Sequence, residues 1–229
     1  MKNGKIRKTG SAGRWMGIIG LGYWGKNILR NLHHLGVLKT ACDTDPRVLE
    51  QWISQMPDVH FTASYKKLLS DPDIRAVAVA TPAAMHYTIV QEVLASGRDV
   101  FVEKPLALTV KEGQRLVEMA EAGGPILMVG HILRYHPAVH ALIALIAEGK
   151  LGKIRYIYSN RLNIGKLRTE ENILWSFAPH DISVILALVG EEPLKVGAFG
   201  ESYLSKGIYD TTLTMLEFRN GIKAHIFVS

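Results

Sequence analysis

Gly17-Ile18-Ile19-Gly20-Leu21-Gly22-Tyr23-Trp24-Gly25 decides the fold: a short apolar run passes directly into Gly-x-Gly-x-x-Gly and then into a helical pattern. Glycines at this spacing meet three needs. Gly20 allows a tight turn, Gly22 lets the backbone approach an anion, and Gly25 lets the following helix pack on the strand with its N-terminal N–H groups facing that anion. The spacing marks a dinucleotide-binding turn wherever a strand precedes it and a helix follows.

Both flanks are present. Ile28, Leu29, Leu32 and Leu35 share one helical face, and the next apolar run ends in Ala41-Cys42-Asp43. Asp43 stands about twenty residues past the glycines, where an acid accepts hydrogen bonds from the two ribose hydroxyls. A carboxylate there repels a 2′-phosphate, which favours NAD over NADP. A glycine-rich turn with a solvated aspartate is the plain alternative; strand, glycines, helix, strand and acid in this order favour the dinucleotide.

Apolar runs then alternate with helical patterns. Trp15–Ile19, Leu38–Asp43, Ala76–Ala80, Asp99–Val102 and Ile126–Val129 read as strands. Trp24–Leu35, Asp45–Met56, Tyr65–Leu69, Met85–Ala95 and Val110–Ala122 read as helices. Such alternation predicts an α/β fold, a doubly wound parallel sheet covered on both faces. Past Gly130 the pattern changes to a helix at Pro137–Glu148, a helical stretch at Ile182–Leu188 and a polar loop at Lys166–Asn172. Four longer alternating segments, Ile154–Arg161, Val196–Glu201, Thr211–Phe218 and Lys223–Val228, predict a second, largely antiparallel sheet. The expected organisation is a basic tail over 1–14, a Rossmann domain over 15–130 and an α+β open-sheet domain over 131–229.

The 229 residues carry a net charge of +6 and one cysteine, Cys42. One cysteine excludes an intrachain disulfide and a cysteine-held metal, and no His/Glu ligand spacing appears, so no metal is expected. Lys2, Lys5, Arg7, Lys8 and Arg14 place the positive charge in the tail, read as a solvated end rather than a nucleic-acid groove. The start lacks the uninterrupted apolar core of a signal peptide, and no segment reads as membrane-spanning, so a cytoplasmic protein is expected.

Ligands of open parallel sheets bind at the carboxyl ends of the strands, and two such ends carry Ala80-Thr81-Pro82 and Glu103-Lys104-Pro105. A lysine there would stand where a hydride acceptor meets a substrate hydroxyl. With the glycine loop, Asp43, His86, Gly97 to Pro105 and His180-Asp181, these segments resemble the glucose-fructose oxidoreductase and inositol dehydrogenase family, Gfo/Idh/MocA. The matching pieces keep the family's order over most of the chain after Arg14.

The resemblance implies an NAD-dependent oxidoreductase that moves a hydride between nicotinamide and a carbinol of a sugar or cyclitol. It implies Lys104 at the reacting hydroxyl and His180 as acid/base, chemistry suited to an ammonium and an imidazole. It also implies a cofactor set of Gly20, Gly22, Tyr23, Trp24, Gly25, Asp43, Thr81, Pro82, His86, Glu103 and Lys104. The stretch Asn172 to Asp181 resembles the branch acting on nucleotide-linked amino sugars or hexuronates, oxidised at C3. Arg134, Tyr135, Asn160, Arg161, Asn163 and Arg168 are the substrate candidates, since arginine matches pyrophosphate or carboxylate bidentately. Trp175 is a stacking platform or a core residue.

Two departures stand out. Family members often carry Asp four residues before the catalytic His, where this chain has Ser176. Relatives also extend on the order of a hundred residues further, so the second sheet is expected to be incomplete. The expected partners are a small sugar or nucleotide-sugar substrate and, where the second sheet suffices, further copies of the chain. The alternatives to a dehydrogenase are a truncated or non-catalytic dinucleotide-binding protein and an NAD-assisted lyase or glycosidase.

Overall fold

The structure is a computed structural model that describes residues 13–163 and 171–229. The chain divides into two compact units, one ending at Val129 and the other formed by Gly130–Ser229.

The first unit alternates strand and helix throughout: β1 (Met16–Ile19), α1 (Gly25–His34), β2 (Leu38–Cys42), α2 (Pro46–Ile53), β3 (His60–Thr62), α3 (Tyr65–Ser70), β4 (Ala76–Val79), α4 (His86–Ala95), β5 (Asp99–Val102), α5 (Val110–Glu121) and β6 (Leu127–Val129). The six strands are all parallel, in the order β3-β2-β1-β4-β5-β6. β4 reads Ala-Val-Ala-Val and is buried at every residue, as a strand with helices on both faces must be. Alternation sends Val77 and Val79 to one core with Ile89, Val93 and Leu116, while Ala78 joins Ile18, Leu29, Leu32 and Trp52 in the other. Helix starts follow local chemistry: Asp45 caps the Arg47 N–H ahead of Pro46, and Thr109 with Glu112 forms a capping box on α5.

The second unit contains α6 (Pro137–Ala147), β7 (Tyr156–Arg161), α7 (Ile173–Val189), β8 (Lys195–Glu201), β9 (Thr211–Glu217) and β10 (Lys223–Val228). Its sheet runs β7-β10-β9-β8, with β10 antiparallel to β9, β9 antiparallel to β8, and β10 parallel to β7. Ile173, Ala178 and Ile185 of α7 pack on Leu216, Ala224, Ile226 and Val228. The opposite sheet face turns Tyr158, Leu213 and Met215 outward.

Several boundaries and one element differ from the sequence expectation. β3 is only His60-Phe61-Thr62, too short to show periodicity, and it extends the sheet by one strand beside β2. α7 begins at Ile173 rather than Ile182, with Pro179 inside it. Proline removes one backbone donor and crowds the preceding turn; here burial of Ile173, Ala178 and Ile185 on the sheet holds one helix across it. The polar loop expected over Lys166–Asn172 lies mostly outside the described residues, as does Arg168. Arg14, at the end of the expected tail, pairs with Asp58. Among the described residues no helix is long and apolar enough to cross a membrane, and no group of three His, Cys, Asp or Glu is placed to hold a metal.

Candidate functional site

The strand order of the first unit reverses between β1 and β4, and the carboxyl ends of strands at such a reversal are where open parallel sheets take ligands. The glycine loop fills that position. Gly20 has φ of +91°, and a Cβ on it would meet the Ala80 carbonyl carbon and oxygen at 2.7 Å. A Cβ on Gly25 would stand 2.0 Å from the Gly20 carbonyl oxygen, so α1 can begin against the loop only because Gly25 has no side chain. Gly22 differs: a Cβ there would meet nothing within 4 Å. The loop is closed against its own strands at Gly20 and Gly25 and open at Gly22.

Asp43 follows β2 and is joined to the loop. Its Oδ2 accepts the Leu21 N–H at 2.7 Å and its Oδ1 accepts the Asp45 N–H at 2.9 Å. Each carboxylate oxygen keeps lone-pair capacity for a hydroxyl. At the end of β4, Thr81 Oγ1 is buried and has no hydrogen-bond partner among the described residues. An open glycine turn, a fixed acid and an orphaned hydroxyl together fit a dinucleotide: anion at the loop, ribose at Asp43, and a polar ligand group for Thr81.

Trp24 and Glu103 link the loop to the end of β5, the indole Nε1–H donating to Glu103 Oε1 at 2.8 Å. Burial pushes the Glu103 carboxyl above its ordinary range, opposed by the Trp24 hydrogen bond. Lys104 follows, half-buried, and the Lys104–Pro105 peptide bond is cis. Tyr23 is 87% exposed and stands against the Lys26 ammonium; Pro82 is also exposed. His86 is the exception in the expected cofactor set, being 1% exposed with both ring nitrogens turned to backbone carbonyls, those of Pro105 and Thr81.

In the second unit, α7 carries Trp175, Ser176, His180 and Asp181. Trp175 is partly buried in the first turn, where Asn172 Oδ1 caps its N–H at 3.0 Å. Ser176, one turn before His180, is 2% exposed. Asp181 is buried and accepts from Ser159 Oγ at 2.7 Å, Arg161 Nε at 2.8 Å and Arg161 Nη2 at 3.2 Å. This fork-shaped pair pins α7 to β7 next to His180.

The substrate candidates accordingly separate. Neighbouring strand residues point to opposite sheet faces, so Asn160 is outward while Arg161 lies under α7 with its guanidinium on Asp181. Arg134 and Tyr135 sit on the short helical turn Ile132–Tyr135, where Arg134 Nη1 donates to the Ser183 carbonyl at 3.3 Å and Tyr135 is 65% exposed. Asn163 is exposed, its N–H donating to the Ser229 carbonyl. Sequence reasoning missed the Arg161–Asp181 pair and the backbone bridge of His86. Alternation along β7 was the available signal for the first; nothing local signals the second.

Comparison with known proteins fits this geometry. Residues 15–131 match the family profile described as an oxidoreductase family with an NAD-binding Rossmann fold, and residues 139–229 match the GFO/IDH/MocA C-terminal domain. An uncharacterized oxidoreductase, YrbE, of Bacillus subtilis is 27% identical over 92% of this chain and 65% of its own length. UDP-N-acetylglucosamine 3-dehydrogenase of Acidithiobacillus ferrooxidans is 27% identical over 93% of this chain and 66% of its own. The crystal structure of GenD2 from gentamicin A biosynthesis, in complex with NAD, superposes with a TM-score of 0.86 at 24% identity, covering 99% of this chain and 69% of that one. The chain thus spans between half and two-thirds of the length of the curated relatives it matches.

Proposed function

The chain belongs to the Gfo/Idh/MocA family of oxidoreductases and its first unit is an NAD-binding Rossmann domain; from that premise we propose that it oxidises or reduces a ring carbinol of a sugar, most specifically a nucleotide-linked sugar. The observation that carries the reading is the meeting of the open Gly22 turn, Asp43, the orphaned Thr81 hydroxyl and Lys104 at the strand ends of one sheet. When bound, NAD supplies the hydride acceptor. In the oxidation, the C–H bond of the carbinol breaks with its electron pair leaving as hydride, and the hydroxyl proton passes to the His180 imidazole. Lys104 donates a hydrogen bond to the reacting oxygen and stabilises the negative charge that develops there. Asp181, locked by Arg161 and Ser159, keeps the α7 turn bearing His180 fixed.

The nucleotide-sugar assignment rests on three supports: the resemblance of the Asn172–Asp181 segment, the name of the Acidithiobacillus relative, and exposed polar groups at Arg134, Tyr135, Asn160 and Asn163. Arg161 is not counted among them because its guanidinium serves Asp181. The test is NADH formation by the chain across UDP-sugars, free sugars and cyclitols. NADH with a UDP-sugar and none with the free sugar supports the reading. Equal rates on free sugars would remove the nucleotide, and NAD binding without turnover on any class would leave a dinucleotide-binding protein.

A further inference from the structure

His86 is a buried polar side chain that the proposed chemistry does not use. It opens α4, is 1% exposed, and spans two backbone oxygens: Nδ1 lies 2.6 Å from the Pro105 carbonyl and Nε2 lies 2.9 Å from that of Thr81. The place of those oxygens is informative. β4 and β5 run in register to Val79 and Val102, and their ladder ends where the Glu103 N–H donates to the Val79 carbonyl at 2.9 Å. Beyond that bond the two chains part, Thr81 toward the short turn Ala83–Met85 and residues 103–107 into a loop. The imidazole spans the gap just past the last ladder bond, and the carbonyl it holds on the β5 side belongs to the residue that follows Lys104.

We propose that His86 is a positioning residue for Lys104: wedged between the Thr81 and Pro105 carbonyls, with its ring N–H donating to one of them, it fixes the 103–107 segment and thereby the point from which the Lys104 ammonium is presented. The role rests on the assignment of Lys104 to the reacting hydroxyl. A backbone contact suits this task because a carbonyl has no rotamer by which to turn away, and the ring is large enough to fill the space between two strand ends while its N–H holds one of them. It also replaces the expectation that His86 contacts the cofactor, since both of its polar atoms face the chain itself.

The test compares His86→Leu, which fills the space with no donor, and His86→Gln, which keeps an amide donor, in the full chain. Hydrogen exchange of the Glu103, Lys104, Leu106 and Ala107 amides is read with no substrate present, so the outcome does not depend on dehydrogenase activity. His86→Leu is expected to speed exchange at these amides by up to about tenfold, the factor carried by one lost hydrogen bond, and to leave β2 and α1 unchanged. His86→Gln restores much of the protection. With a turned-over substrate, His86→Leu lowers kcat while the KM for NAD stays within about twofold, the split expected when an interaction serves the transition state rather than binding. Unchanged exchange at 103–107 overturns the proposal, as does loosening spread evenly through the Rossmann unit. The expected faster exchange in His86→Leu, in a chain that shows no dehydrogenase activity, would sink the proposed function and leave the role of His86 in ordering 103–107 standing.

Discussion

Gly22 and Gly25 lie three residues apart in one loop, yet an alanine should act on them through different physics. At Gly25 the new Cβ stands 2.0 Å from the Gly20 carbonyl oxygen and 3.4 Å from the Ala80 Cβ, and the nearest obstacle is backbone, which cannot swing aside. Overpacking of this kind costs about 1–3 kcal/mol, which for a chain of this size lowers the melting temperature by roughly 2–12 °C. At Gly22 the Cβ meets nothing within 4 Å, so the melting of the free protein should move by less than about 0.5 kcal/mol. That Cβ does, however, enter the space through which a pyrophosphate approaches the loop. NAD at about a hundred times its dissociation constant stabilises the wild type by about 2.7 kcal/mol; a tenfold weaker affinity cuts this to about 1.4 kcal/mol. Thermal unfolding with and without NAD reads both effects. Gly25→Ala should melt early in the free form, and Gly22→Ala should melt normally and lose about half the NAD shift. A full NAD shift in Gly22→Ala, or a wild-type melt for Gly25→Ala, would refute the geometry of the loop.

Other consequences follow from the same contacts. Lys104→Ala should lower kcat by about 10²–10⁴-fold while the NAD-induced melting shift is retained; equal turnover would remove the lysine from the mechanism. Asp43→Ser removes the negative charge facing the ribose and should narrow the preference for NAD over NADP by about tenfold, one ion pair's worth of repulsion, read as the ratio of melting shifts. Arg161→Ala strands the buried Asp181 carboxylate and should destabilise the second unit by about 2 kcal/mol, below the 3–5 typical of fully enclosed pairs because the arginine is a third exposed. Glu103 has a folded-state pKa above its ordinary 4.5, so the native state holds its proton longer than the unfolded chain does. Stability contributed by this group therefore falls as the pH rises through the window just above 4.5, and the melting of Glu103→Gln relative to wild type should rise across that window. A difference that is flat in pH would show that the burial of Glu103 carries no such cost.

Much of the nucleotide half was legible because its signals are local. The order of glycines and acid reports a loop whose geometry depends on the absence of side chains, and β4 reads as a buried central strand from four residues of Ala and Val. β3 escaped because three residues cannot show a period. The helical stretch was expected only over Ile182–Leu188, whereas α7 runs from Ile173 through Pro179, where packing on the second sheet overrides the local cost of proline. The candidate site was less legible. Asn160 and Arg161 look equivalent as letters, and only a strand's alternation separates an outward amide from a guanidinium held under α7. His86 looks like a ligand in a motif, and only the parting of β4 and β5 beyond Val79 and Val102 gives its ring two carbonyls to hold.

The central claim is hydride transfer from a sugar carbinol, and isotopic transfer tests it most directly. The chain would be incubated with NAD and a UDP-sugar deuterated at ring C3, and the nicotinamide examined by mass spectrometry. The account predicts deuterium on the reduced nicotinamide in step with loss of the C3 label, slowed by about 10²–10⁴-fold in Lys104→Ala. Bound NAD that stays unlabelled and oxidised across the C-deuterated sugars tried would contradict it.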